Sequence, residues 1–242
     1  MKLILLPGLD GTGNLFEQFV SLLPEEFSAT IVSYPTHEKL NYAQLQTLVR
    51  NQLPKAEPFV LIAESFSGAI AVSIAAEAPQ NLKALILCAS FVSNPAPAFL
   101  RWINHKLWFE LPSPIWIVRT LSGLHDCDDL VVKKFRETVH SVSPEVMAFR
   151  LDQILKLDVR QELRRCAVPL LIIRPLRDYF ISDKIGVEEI LQIKPEASCA
   201  EIDASHFVLQ HKPKRSIAII QNFLADLDLS LLSSQFSPLN NF

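Results

Sequence analysis

The apolar run Phe59-Val60-Leu61-Ile62 leads into Ala63-Glu64-Ser65-Phe66-Ser67-Gly68 and then into the small-residue stretch Ala69 to Ala78. A short run of β-forming residues reads as a buried strand, and the small residues after it let a helix begin close against that strand. The chain must therefore turn sharply at Ser65. A serine on such a strand-to-helix turn is forced into a tight backbone conformation. Its Oγ is lifted over the end of the sheet, and the next N–H points toward a developing oxyanion. Crowding there demands small neighbours, and Ala63 and Ser67 stand two residues either side of Ser65.

A serine among small residues is common, so the rest of the chain must supply its partners. A serine hydroxyl is a weak nucleophile near neutral pH; acyl transfer needs a base within hydrogen-bond reach and a third group that fixes the tautomer of that base. The run Pro169-Leu170-Leu171-Ile172-Ile173 reads as another buried strand, followed by the polar loop Arg174-Pro175-Leu176-Arg177-Asp178. Ala200-Glu201-Ile202-Asp203 reads as a short edge strand, with His206 just beyond it. The chain order is Ser65, Asp178, His206. Other histidines fit less well: His105, His125 and His140 fall in an inserted segment, His37 follows an early strand, and His211 adjoins Lys212. Among the acids, Asp183 follows Ser182 like the start of a helix and Asp203 sits too close to the strand end, whereas Ala89 to Asn94 holds no carboxylate.

With these residues in that order the chain resembles the α/β-hydrolase superfamily, and the resemblance runs from Leu3 to about Leu227. Leu3-Ile4-Leu5-Leu6-Pro7-Gly8-Leu9-Asp10-Gly11-Thr12-Gly13 looks like the first core strand and oxyanion loop of that family; Asp203-Ala204-Ser205-His206-Phe207 looks like its catalytic-histidine loop. Pro7 stands where many relatives carry histidine, and Ala-x-Ser-x-Ser replaces Gly-x-Ser-x-Gly. The resemblance implies a carboxylesterase- or thioesterase-like serine hydrolase with Ser65, Asp178 and His206 as its triad. Its oxyanion hole would be built from the backbone N–H groups of Leu9 and Phe66. Because the apolar runs start almost at residue 1, the first antiparallel hairpin of that family is expected to be missing.

Strand-like runs at Leu3–Leu6, Thr30–Ser33, Phe59–Ala63, Ala84–Cys88, Leu170–Ile173 and Cys199–Ile202 alternate with helical patterns, which implies βαβ units. The expectation is an α/β fold with about six mainly parallel strands flanked by helices. Leu15, Phe16 and Phe19, then Leu45, Leu48 and Val49, and finally Ile217, Ile220 and Leu224 each give one apolar helix face. The stretch from about Asn94 to Arg165 breaks the alternation and holds all three tryptophans. It reads as a helical cap over the carboxyl ends of the strands, where open α/β sheets bind ligands. The division expected is a core of residues 1–94 and 166–228, a cap of 95–165 and a tail of 229–242. Trp102 and Trp108 are the candidates for lining an apolar acyl pocket.

Composition narrows the function classes. The 242 residues are 49% hydrophobic, with a net charge of −3 and dispersed basic residues, so no electrostatic footprint for nucleic acid is present. Cys88, Cys127, Cys166 and Cys199 lack metal-ligand spacing, which favours free thiols in a reducing compartment. Gly8, Gly11 and Gly13 miss the spacing of a dinucleotide loop, and no Gly-Lys-Ser/Thr follows them. No signal-like or membrane-spanning run is evident, and a cytoplasmic protein without metal or organic cofactor is expected. Arg174 and Arg177 stand ready to greet an anionic substrate or to be ordinary surface residues. The favoured function is hydrolysis of an ester or thioester with an apolar acyl group. The rival is a non-catalytic binding protein of the same fold.

Overall fold

The computed structural model describes residues 1–95, 109 and 129–235, with residues 228–235 as backbone only. Among them six strands form one sheet: β1 (Lys2–Leu6), β2 (Ser28–Ile31), β3 (Phe59–Glu64), β4 (Leu82–Cys88), β5 (Leu170–Arg177) and β6 (Ser198–Ser205). Their spatial order is β2-β1-β3-β4-β5-β6, and every neighbouring pair is parallel. A parallel sheet covered on both faces needs strands apolar on both sides, and β3 is buried at all of its positions.

The two-residue period of the strands sorts the core into two layers. Ile4, Leu6, Leu61 and Leu85 point to one face, beneath α2 (Tyr42–Arg50), α3 (Gly68–Ala75) and α6 (Arg160–Arg165). Leu3, Leu5, Val60 and Ile86 point to the other, where Phe16 and Phe19 and the last helix meet them. Phe16 closes a 3-10 turn that leads into α1 (Glu17–Ser21). Ile217, Ile220 and Leu224 come from α9 (Pro213–Gln235). At about 1.5–3 kcal/mol for each fully buried aliphatic side chain, these layers supply the main drive for folding.

Between β4 and β5 the described residues are helical: α4 (Asp129–His140), α5 (Pro144–Ile154) and α6. Helix α5 starts sharply because Ser143 caps it by accepting from Val146 N and Pro144 occupies the first turn. Ser143 N also donates to Thr36 O at 3.0 Å, tying the start of α5 to the loop after β2. The stretch Lys184–Glu188 and α7 (Glu189–Ile193) precede β6, and the short α8 (Val208–His211) follows it.

Several boundaries differ from expectation. Strand β5 continues through Arg174–Arg177, which the sequence reading gives to a polar loop, and β6 continues to Ser205 instead of ending at Ile202, because both strands go on pairing with each other as far as Arg177 and Ser205. Strand β2 lies at Ser28–Ile31 instead of Thr30–Ser33, because Leu3 pairs with Ala29 and the chain leaves the sheet at Val32 to reach the β1 loop. Helix α9 continues to Gln235, past Leu229, where the sequence reading begins a tail. No helix among the described residues is long and apolar enough to cross a membrane.

Candidate active site

Strand order reverses at β1: the chain moves outward to β2 and then returns to place β3 on the other side of β1. Open α/β sheets bind ligands at such a switch point, outside the carboxyl ends of the strands. The loop after β1 and the turn after β3 meet there.

Ser65 has φ 50°, a left-handed conformation that costs a non-glycine residue about 1–2 kcal/mol. The surroundings hold it in place. Ser90 Oγ, just past β4, donates to Ser65 O at 2.8 Å. A Cβ built on Gly68 would overlap the Ser90 hydroxyl, so α3 can start this close to β4 only with glycine at its first position.

His206 reaches Ser65 from the loop after β6. Its Nε2 lies 2.9 Å from Ser65 Oγ and its Nδ1 lies 2.7 Å from Asp178 Oδ2. Asp178 stands in the loop after β5, where its Oδ1 accepts from Phe180 N at 2.8 Å and Ile181 N at 3.0 Å. With both backbone donors on Oδ1, Oδ2 is left for the imidazole. The network thus assigns the proton to Nδ1 and leaves Nε2 to accept from the Ser65 hydroxyl. Burial opposes the charged imidazole, but the charge and hydrogen bond of Asp178, with help from Glu64, outweigh it; the His206 pKa lies above its ordinary value. Phe180 and Phe207 set their rings edge-on to His206, at 5.1 and 5.3 Å between centroids.

Across from the serine, the β1 loop has the carbonyl of each residue from Pro7 to Gly11 occupied. Ser67 Oγ donates to Pro7 O and, having spent its proton, accepts from Tyr34 OH at 2.6 Å. Gly11 N closes a turn onto Gly8 O at 3.1 Å, and Tyr34 N donates to Gly11 O at 2.7 Å. Arg150 Nη1 donates to Leu9 O at 2.9 Å and to Asp10 O at 2.5 Å; its Nη2 donates to Pro35 O at 2.9 Å. Within the loop, Thr12 N and Oγ1 both donate to Asp10 Oδ1. Phe66, the other oxyanion candidate, is the second residue of the 3-10 turn Ser65–Ser67, where a helix leaves its first N–H groups without internal partners. Its ring stacks on Tyr42 with centroids 4.8 Å apart.

Glu64, directly before Ser65, is 2% exposed. Burial pushes its pKa up to about 7, against the opposing hydrogen bond from Gln210 and the charge of His206. Gln210 Nε2 donates to Glu64 Oε2 at 2.8 Å.

The structure thus brings Ser65, Asp178 and His206 together; Phe66 follows Ser65 in its turn, and Leu9 follows Gly8, where an added Cβ would lie 4.0 Å from Ser65 Cβ. Trp102 and Trp108 lie outside the described residues. Arg174 is engaged by Asp183 and Glu201, and Arg177 by Asp203, so these arginines serve surface ion pairs. Cys88, Cys166 and Cys199 are free thiols. Among the described residues no cluster of three or more His, Cys, Asp or Glu side chains converges on a metal position.

Sequence reasoning passed over Glu64, Tyr34, Arg150 and Gln210. Glu64 left a signal, a charge at the end of an otherwise apolar strand. Arg150 and Gln210 left none, since their partners lie 140 and 146 residues away.

Several solved structures share this fold. An enol-lactonase from Burkholderia xenovorans LB400 superimposes with a TM-score of 0.78 at 18% identity, covering 93% of this chain and 91% of that one. A structure from a study of carboxylesterases of the thaumarchaeon Nitrososphaera gargenis gives 0.79 at 18% identity, covering 95% and 91%. In sequence, pyrrolizixenacetamide deacetylase from Xenorhabdus hominickii is 24% identical over 205 residues, spanning 76% of this chain and 72% of that protein. The model of the alpha/beta hydrolase family matches residues 3–219, nearly the whole span over which sheet, serine turn and histidine loop are laid out, and the chain belongs to that family.

Proposed function

We propose that the protein is a serine hydrolase that cleaves a carboxylic ester or thioester carrying an apolar acyl group. Ser65 Oγ attacks the acyl carbonyl while His206 Nε2 takes its proton, and Asp178 holds the ring and stabilises the imidazolium. The oxyanion is received by the N–H groups of Phe66 and Leu9. Collapse expels the alcohol or thiol, which takes the proton back from His206. Water, deprotonated by the same imidazole, then releases the acid from the acyl-enzyme. The observation that carries this reading is the His206 ring spanning Ser65 and Asp178 at 2.9 and 2.7 Å.

The apolar acyl preference rests on the segment between β4 and β5, which we take to act as a cap. Val142, Val146 and Met147 form a buried cluster packed with Phe109, Val139 and Leu9, so apolar surface from this segment adjoins the oxyanion loop. Burial of each added methylene is worth about 0.8 kcal/mol, and kcat/KM should rise with acyl length up to a limit. The likeness to a deacetylase adds acetamides to the substrates worth trying.

Fluorophosphonate labelling together with a chain-length series of p-nitrophenyl esters, thioesters and acetamides tests the assignment. Ser65→Ala should lose labelling and turnover while staying folded, with a residual rate of about 10³–10⁴-fold over water. Undiminished labelling of Ser65→Ala rejects Ser65 as nucleophile. A wild-type protein that neither labels nor turns over any substrate supports the non-catalytic rival.

A further inference from the structure

Resting on that reading, we propose that Arg150 is a positioning residue that holds the oxyanion loop in its working conformation and couples it to helix α5. Leu9 is the only oxyanion donor of the pair that lies in a loop; Phe66 is built into the serine turn. A loop donor helps the reaction only if its N–H is aimed before the charge develops. The conformation of residues 7–11 is therefore the quantity to be controlled.

Arg150 has the chemistry for that control. It is 2% exposed, and its guanidinium donates to three backbone carbonyls from two loops, Leu9 and Asp10 after β1 and Pro35 after β2. Five donors in a rigid planar fork can fix several acceptors at once, which an ammonium point charge cannot do. The contact is also close-packed. Gly11 has φ +72° and a Cβ built there would lie 2.5 Å from Arg150 Nη1, so the loop approaches the guanidinium as near as glycine permits. The guanidinium carbon also sits 5.7 Å from the centroid of Tyr34, whose hydroxyl continues through Ser67 to Pro7 O. One cation thus touches both routes that hold the loop. Because Ser143 and Pro144 fix the start of α5, the position of that helix is transmitted to Leu9 through Arg150.

The test compares wild type, Arg150→Lys and Arg150→Gln in steady-state ester hydrolysis and in the rate of inactivation by a p-nitrophenyl phosphonate. Lysine keeps the charge and loses the fork, whereas glutamine loses both. Both folded variants should show kcat reduced by about 10- to 100-fold with KM changed by less than about threefold. That lies below the roughly 10²–10³-fold loss when an oxyanion donor is removed outright. Phosphonate inactivation should slow in parallel, since its adduct uses the same donors. Unchanged kcat in folded Arg150→Lys, or a rise confined to KM, overturns the proposal. If neither variant folds, hydrogen exchange on the wild-type protein decides. Phosphonylation of Ser65 should add protection jointly to peptides spanning residues 7–12 and 144–154; protection confined to the serine turn overturns the coupling. A wild-type protein that is inert to the phosphonate refutes the hydrolase reading itself, an outcome distinct from failure of the Arg150 proposal.

Discussion

Replacing Glu64 by glutamine should make the protein more stable in alkaline than in acidic solution relative to wild type, and should move the acid limb of its activity to lower pH. Glu64 is buried among Gln210, His206, Asp10 and Cys88, and burial raises its pKa from the ordinary 4.5 to about 7. Below pH 4.5 the carboxyl is protonated in both folded and unfolded chains and contributes no pH dependence. Between 4.5 and 7 the unfolded chain ionises while the folded one keeps its proton, so stability falls as pH rises through the folded value. Above about 7 the whole cost is present. At 1.36 kcal/mol for each pKa unit that cost is about 3 kcal/mol, of which roughly 2 kcal/mol accrues between pH 5 and pH 8.5. Glutamine does not titrate. The difference in Tm between Glu64→Gln and wild type should therefore grow by about 4–8 °C from pH 5 to pH 8.5 in a domain of this size, whatever constant offset the new amide brings. The ionised Glu64 also helps raise the His206 pKa, so the acid limb of kcat/KM, which reports the imidazole becoming neutral, should shift down in the variant. Calorimetry across the pH series and a pH–rate profile measure both effects. A Tm difference that stays constant from pH 5 to 8.5 would refute the assignment of a raised carboxyl pKa.

Asp178→Asn should lower kcat by about 10⁴-fold through the wrong imidazole tautomer, whereas Asp183→Asn should leave it within about twofold, since Asp183 meets Arg174 at the surface and such pairs are worth about 0–1 kcal/mol; steady-state kinetics of the two variants compare them directly. Ser67→Ala removes the hydroxyl between Tyr34 and Pro7 and leaves two buried polar groups unpaired. At about 1–3 kcal/mol for a buried group left unsatisfied, denaturant unfolding should show a loss of at least about 2 kcal/mol; a neutral effect would mean that water or a rearranged loop satisfies both groups.

The sequence by itself determined what depends on near neighbours along the chain. Continuous apolar runs located the inner strands, because a strand buried on both faces tolerates few polar residues, whereas the edge strand β2, partly exposed, was placed two residues late; the small residues around Ser65 marked the turn because crowding there excludes larger ones. Asp178 and His206 were legible as polar residues shortly after apolar runs, although the apolar pattern stops at Ile173 and Ile202 and the strands themselves run on to Arg177 and Ser205, directly before the two residues. Glu64, Arg150, Tyr34 and Gln210 were decided by the tertiary structure. Their partners come from other elements, brought near only when the sheet closes its order around β1: Arg150 meets a loop 140 residues earlier, and Gln210 meets Glu64 across 146. Arg150 is unremarkable in sequence, and although Glu64 stands out as a charge ending an apolar strand, only packing removes the water from either side chain. The pKa of Glu64 and the rigid set of carbonyls from Pro7 to Gly11 are consequences of that removal. Desolvation belongs to the folded assembly and to no local segment of the chain.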